Sequence, residues 1–592
     1  MNELYKWNLT DLYPSLQKWE DDLTAVGERA KEFSRYERQL HQADALYACL
    51  TAQNEVSQIV SKLYIYAHLW KDEDTRNTEA QKLLERASDT SSRLGEATSF
   101  IVPEILEMTE DQLEALFVEN EQLALFKNHI KDIFRFKKHV LSKTEEALLA
   151  KLADTTGVGE DTFDAFNDAD LKFPSISLPN GEKVQLTNAN YAIYIRHEDR
   201  NVRQEAYKAL YHTYMGFKNT VATTLFSTIR ENVRFSNVRN YPSALESSLF
   251  DDNVPKEVYH NLIQTAKDHL EPLHKYLDLR KKHLNVDELR MWDMHVPFFK
   301  DFDVTISYEE AYEKMKQGLS VLGEEYVSLL QKAKEDRWID VYSNEGKRGG
   351  AYSWGNYSVH PYVLLNHKDN LDSMFTLAHE MGHALHSYYS NKSNSSLYAQ
   401  YAIFVAEVAS TVNEVLLIHH LLEEAKKEGN VDMQKFLLND FLEQFRNTFY
   451  RQTMFAEFEY LTHKAVEEGN PLTEQEFRDI YRSLHETYYG DKVVHDEEIS
   501  YEWMRIPHFY NAFYVYKYAT GFSAAISIAK SILEGKEGVV DNYKAFLKSG
   551  GTDFPIELLK ITGVDMSTPQ PIEDALAFFN DLVNEFEGML EA

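Results

Sequence analysis

The sequence predicts a mainly α-helical protein with a small β-sheet set into it, and three observations carry that prediction. Its 23 glycines and 14 prolines in 592 residues are about half the usual ~12% share of these two residues, so few sharp turns are forced. Amphipathic runs of helical period recur along most of the chain. Extended, glycine-punctuated sequence is confined to two short regions, 173–186 and 338–366. With 43% apolar residues, including 7 Trp, 36 Tyr and 33 Phe, the chain has ample material for a large core, which excludes disorder as its main state.

Taken in order, residues 16–151 read as successive amphipathic helices, such as 54–72 and 75–102, the latter stopping before Pro103. No fixed-period repeat is present, although a heptad-like stretch there suits a long antiparallel helical hairpin. The single cysteine, Cys49, sits in the apolar run ALYACL and reads as a small buried hydrophobe, with no partner for an internal disulfide. At 175–186, SISLPNGEKVQL places Asn180-Gly181 between alternating residues, a pair that favours the positive φ angles of a tight hairpin turn. A domain junction is expected here: residues 1–190 form a helical N-terminal domain ending in a small hairpin, and 191–592 carry the chemistry. Helices resume from 190 to about 334. Between 338 and 366, Gly346, Gly349, Gly350 and Gly355 break any helix, and two or three short strands with open edges fit best. From 371 to 582 the pattern is helical again, interrupted by a charged loop at 488–498.

A net charge of -33 repels a phosphate backbone, so nucleic acid is not an expected partner. No run approaches the ~18 consecutive apolar residues of a membrane span, and the opening MNELYKWNLTDLYPS has neither a basic nor an apolar leader region. The expectation is a cytoplasmic protein with no membrane partner; no motif encodes its oligomeric state.

The chemistry concentrates at His379-Glu380-Met381-Gly382-His383. On a helix the two histidines lie one turn apart on one face, about 6 Å along the axis, so both imidazoles reach one ion. Glu380 projects about 100° around from His379, beside that ion, where it suits a base that deprotonates a water activated by zinc. With 22 His in the chain, such a five-residue match arises by chance about 0.08 times in this composition, so context must support it. A catalytic zinc needs a third protein ligand and an open position. His386 lies about 10 Å along the axis from His379, too far for all three histidines to share one ion on a straight helix; it reads as a packed histidine or a supporting one. The longer zincin pattern also fails, since His386 and Tyr389 occupy the positions it requires to be Gly and His. Downstream, Glu407 stands alone between Ile403-Phe404-Val405-Ala406 and Val408-Ala409. A carboxylate in such an apolar run needs a cation or metal to offset its burial, and Glu407 is the expected third ligand. Glu414, seven residues on and on the same face, is placed to hydrogen-bond the far nitrogen of a liganding histidine. Two neutral imidazoles and one carboxylate leave the zinc site at net +1, which suits water activation and carbonyl polarisation together, as amide hydrolysis uses.

HEMGHALHSYYS, then FVAEVASTVNE, preceded by GKRGGAYS and followed by IPHFYNAFYVYKYATGF, together resemble the oligoendopeptidase F branch of the thimet oligopeptidase and neurolysin family of zinc peptidases. The resemblance is densest over 183–569. It implies zinc on His379, His383 and Glu407, Glu380 as general base and proton shuttle, and a supporting role for Glu414, in agreement with the reading from the residues. It also implies two helical halves enclosing a deep channel with zinc at its floor, reached only by short unstructured peptides. Gly349-Gly350-Ala351-Tyr352 resembles the family's strand beside the active-site helix, where glycines let a substrate backbone approach and an open edge holds it by strand addition. His508 matches a histidine that helps stabilise the tetrahedral intermediate with nearby tyrosines. Tyr510, Tyr514 and Tyr518 are spaced to share one helical face, and Tyr514 is the first choice among them. The expected function is zinc-dependent endoproteolysis of short oligopeptides. The alternatives are a carboxydipeptidase of the same chemistry, which needs a clamp for the substrate's terminal carboxylate, and a non-catalytic peptide-binding helical clamp.

Overall fold

The computed structural model describes residues 3–299 and 304–591. Helix α1 (Ala43–Glu73) and helix α2 (Thr78–Thr98) fold back on each other across the link 74–77, where Asn77 caps α2 by accepting from the Glu79 and Ala80 amides. This is the helical hairpin that the sequence allows. The expected run to residue 102 is instead two helices, because α2 stops at Thr98 and Pro103 falls in the first turn of the helix Ile101–Glu107, where its missing N–H costs no hydrogen bond.

Strands β1 (Ser175–Ser177) and β2 (Lys183–Gln185) pair antiparallel, with Ile176 opposite Val184. Their turn differs from the expected one, for Gly181 alone has positive φ, +86°. Pro179 favours a type I turn, and Gly181 closes it as a bulge, its N–H bonding Leu178 O at 2.9 Å. Further on, β3 (Ile339–Tyr342), β4 (Tyr352–Gly355) and β5 (Pro361–His367) form a sheet in the order β3-β5-β4, β3 parallel and β4 antiparallel to β5. Among the described residues β4 pairs with β5 alone, so its outer edge is open. Helices α3 (Leu371–Ser393), α4 (Ile403–Glu428) and α5 (Val539–Ser549) follow.

The chain divides into two compact units, each assembled from three stretches: Met1–Val140, Val304–Leu417 and Ile528–Gly563 in the first, and Leu141–Asp303, Ile418–Ser527 and Val564–Ala592 in the second. In the first unit, a core of fully buried residues that includes Trp19, Leu46, Cys49 and Leu63 extends to Tyr362 and Leu364 of β5. Val363 and Leu365 lie on the strand's other face, equally buried. Burial pushes the Cys49 thiol up to about 12, so it is inert packing. In the second unit, helices Lys218–Val238, Arg451–Glu467 and Glu474–Tyr489 and the 3-10 segment Glu498–Arg505 carry a core of aromatic residues such as Phe458, Phe477 and Trp503, fastened by buried ion pairs including Arg203 with Asp293 at 2.9 Å. Among the described residues, α4 is the one helix long and apolar enough to cross a membrane by length and composition, and 72% of its apolar window is buried within the fold.

Candidate active site

The Asn370 side chain starts α3 by accepting from the Ser373 amide at 3.0 Å. About three turns in, α3 meets α4 at Gly382, where an added Cβ would lie 2.6 Å from Ser410 Cα and 2.7 Å from Ala409 O. Glycine on one helix and small residues on the other therefore permit a backbone approach that no larger side chain allows. A second fastening is Asn413, which donates to Ala378 O at 3.1 Å and accepts from the Tyr326 hydroxyl at 2.8 Å. Sequence reasoning missed Gly382, Asn413 and Tyr326 as positioning residues. For Gly382 the available signal was a glycine in a helix interior, a costly choice unless something must come close.

That approach brings His379, His383 and Glu407 together, one ligand atom from each lying within 4.8 Å of the others. His379 Nε2 is 3.1 Å from His383 Nε2, and Glu407 Oε2 is 3.4 Å from the first and 3.6 Å from the second. Ligands about 2.05 Å from a tetrahedral ion stand about 3.3 Å apart, so this triangle has the size of one face of such a site. Glu414 takes the hydrogen bond of His379 Nδ1, which fixes the tautomer and aims Nε2 at the other two. Ser410 Oγ steadies Glu407 Oε2 at 3.3 Å. The donor set of two imidazoles and a carboxylate fits a divalent cation, and the electrostatics agree. Despite burial, Glu407 and Glu414 hold the His379 imidazole well above its usual pKa. Burial and then His379 push His383 down to about 4. Burial works against it, but the two histidines hold the Glu407 carboxyl at about 2. A proton on His379 thus offsets the same carboxylate charge that a cation held by these groups would offset.

Glu380 is 7% exposed and, among the described residues, makes no hydrogen bond. Burial, with repulsion from Glu407 and Glu414 only partly offset by His379, lifts its carboxyl to about 7. His386 is a packed core histidine, stacked on Tyr401 at 3.7 Å between ring centres and driven down to about 3 by burial.

The other sequence-predicted residues are placed as follows. Gly349 and Gly350 precede β4; a Cβ on either meets no atom within 4 Å, and Gly350 has φ +83°. Asn366 pins this loop by donating to Gly350 O at 2.8 Å and Arg348 O at 3.0 Å. Ala351 leads into β4, and Tyr352 turns its hydroxyl to Asp72 at 2.7 Å, away from service as a free donor. In the second unit, His508 Nε2 stands 3.3 Å from the Tyr518 hydroxyl, and the rings of Tyr514 and Tyr518 meet edge to face at 5.5 Å. Burial and then Arg451 lower the His508 pKa, so its imidazole is neutral.

The expected helical face of Tyr510, Tyr514 and Tyr518 does not exist. Pro507–Tyr510 is a 3-10 turn, the helix bearing Tyr518 starts at Tyr516, and Phe513 between them has φ +57°, its amide held by Glu459 at 2.9 Å. Tyr514 and Tyr518 still cluster with His508, but Tyr510 is buried, stacked on Phe163 and hydrogen-bonded to Thr224 at 2.7 Å.

Residues 193–578 match the model of peptidase family M3, and 104–173 match that of oligopeptidase F. The oligopeptidase PepF of Bacillus subtilis is 44% identical over 585 residues, covering 99% of this chain and 87% of that protein. The group B oligopeptidase PepB of Streptococcus agalactiae is 37% identical, covering 100% and 98%. Among solved structures, oligoendopeptidase-F from Enterococcus faecium superposes with a TM-score of 0.75 at 37% identity, covering 97% of this chain and 99% of that one. A structure from Chlamydophila abortus reaches 0.93 at 34% identity, covering 100% and 99%.

Proposed function

The chain belongs to peptidase family M3 and acts on oligopeptides, and from that premise we propose that it is a zinc endopeptidase cutting internal bonds of short, unfolded peptides. One observation carries the reading: three ligand atoms converge on α3 and α4 while the carboxylate beside them, Glu380, is left buried and unbonded. Zinc held by His379, His383 and Glu407 would supply Lewis acidity to a water and to the scissile carbonyl. Glu380 takes the proton from the attacking water as its oxygen adds to the carbonyl carbon. It returns that proton to the amine nitrogen as the C–N bond breaks, and a carboxyl lifted to about 7 suits both directions of transfer. Glu414 keeps the His379 ring from turning.

The motif match and the local clustering support His508 as a neutral N–H donor to the oxyanion, with Tyr514 as the second donor. The Tyr514 hydroxyl has no hydrogen bond among the described residues, whereas the Tyr518 hydroxyl is engaged with His508 Nε2 and orients it. The open edge of β4 and the glycines before it suit an extended substrate backbone.

The test is cleavage of an internally quenched peptide of about eight to ten residues, with products identified by mass. Zinc-loaded protein is expected to cut internally, chelation to abolish cutting, and Glu380→Ala to slow it roughly 10²–10⁴-fold with zinc retained. No cleavage by zinc-loaded protein across varied peptides would leave a peptide-binding clamp in its place.

A further inference from the structure

The second unit holds a cavity of about 320 Å³ whose lining includes Tyr191, Tyr211, His295, Arg451, Arg505 and His508. Its charges do not balance. Glu502 is its one lining carboxylate, and that group is already committed: Oε1 accepts from Arg451 at 2.6 Å and Oε2 from the Tyr481 hydroxyl. Although burial opposes it, Arg451 and Arg505 hold the Glu502 carboxyl at about 2, so it stays a full anion shared by two cations. Arg505 is the group left over. Its ion pair with Glu502 is long, 3.9 Å, it has no hydrogen bond among the described residues, and 26% of its side chain remains accessible. A guanidinium in this state lines the cavity with a planar fork of N–H donors that Glu502 does not saturate.

The rest of the lining is suited to an anion. Burial raises the pKa of the Tyr191 and Tyr211 phenols, which keeps them protonated as donors. Burial and the nearby arginines drive His295 down to about 3, so it brings neither charge nor competition for the anion. In a chain of net charge -33, a recessed pocket where two arginines share one carboxylate, Arg505 only at 3.9 Å, is a local exception to the overall field.

We infer that this cavity is a specificity subsite in which Arg505, backed by Arg451, binds a carboxylate of the substrate peptide. The inference rests on the endopeptidase reading for the substrate class and for the role of His508 at the cavity rim. Arg505 and His508 line the same cavity, three peptide units or at most ~11 Å of backbone apart, so the bound carboxylate lies a few substrate residues from the carbonyl that His508 would serve. A carboxylate at that distance is either the chain terminus or an Asp or Glu side chain; both present the same two oxygens to the arginine fork. Occupation by the terminus makes the enzyme release fixed short pieces from the C-terminal end, and occupation by a side chain makes it cut at a fixed distance from an acidic residue.

The experiment uses three quenched peptides of one neutral sequence: a C-terminal acid, the same peptide as a C-terminal amide, and the amide with one internal Glu. Binding is read by fluorescence anisotropy on zinc-loaded Glu380→Gln protein, which does not turn the peptides over, and cleavage positions are read by mass with the unaltered enzyme. At least one carboxylate-bearing peptide is expected to bind about 10- to 100-fold more tightly than the plain amide. Adding Arg505→Gln should collapse that ratio toward one, and Arg505→Lys should restore part of it. Shifting the recognised carboxylate by one residue should shift the cut bond by one residue. The acid and the Glu-bearing amide then tell the two sources apart.

Equal binding of all three peptides overturns the inference, as does a ratio that survives Arg505→Gln. The comparison among peptides needs no Arg505 variant, so it holds even if that variant does not fold. Carboxylate-dependent binding without hydrolysis by the zinc-loaded enzyme would keep the subsite and discard the endopeptidase reading; hydrolysis indifferent to the carboxylate would do the reverse.

Discussion

The candidate metal site of the first unit and the histidine cluster of the second are built by opposite means. In the first, two regular helices bring acceptors together: His379, His383 and Glu407 point their lone pairs at one another, and a shared proton or a cation must relieve them. In the second, donors are left unspent. The Arg505 guanidinium and the Tyr514 hydroxyl donate no hydrogen bond among the described residues, and His508 projects from a 3-10 turn followed by the irregular link 511–515. Converging acceptors hold a cation, whereas unspent donors wait for an anion, and peptide hydrolysis needs both. The difference also governs how each site fails: removing an acceptor loses the ion, and removing a donor loses only the stabilisation it gave.

Substitutions can break that contrast. The largest effect is expected from His383→Ala, which should drop bound zinc and peptide cleavage together to background, checked by metal analysis of the same sample that is assayed. Next, His508→Ala should lower kcat about 10²–10³-fold, the usual cost of one oxyanion donor, with zinc content unchanged; loss of zinc in this variant would erase the distinction between the two regions. Glu414→Ala should weaken zinc binding about 10- to 100-fold, seen as a lower chelator concentration for half-inactivation, with kcat near normal once zinc is saturating.

The smallest effect concerns the metal-free protein and sharpens the description of the first site. Glu380 has a folded pKa of about 7 against about 4.3 for an unfolded glutamate, so between those values the native state holds a proton the unfolded state lacks. Its contribution to stability therefore falls as pH rises through that window. Glu380→Gln should raise the thermal midpoint of metal-free protein on the order of 1–3 °C more at pH 8 than at pH 5; an equal shift at both would show that the carboxyl is ionised throughout.

Much of the first site was legible because helical spacing is itself a geometry. The four-residue step from His379 to His383 fixes one face, and a lone glutamate in an apolar run declares that burial must be offset, so Glu407 and Glu414 could be read before any contact was known. The small sheet and the hairpin were equally readable from their glycines, although Pro179 moved the turn type and Pro103 opened a helix that it was expected to end. The tyrosines show the limit: equal spacing suggested one face for Tyr510, Tyr514 and Tyr518, but the backbone reverses its twist at Phe513, and Tyr510 went into the core.

The sequence by itself determined the fold class and the family and nominated the candidate metal ligands, since periodicity and short-range spacing act within single elements. Only the tertiary structure decided that Gly382 lets α3 and α4 touch, that Tyr352 is spent on Asp72, and that Arg505 keeps only a long ion pair to Glu502. Each of those depends on which distant side chain satisfies which polar group, and hydrogen-bond satisfaction is settled by packing across the chain, which no local pattern encodes.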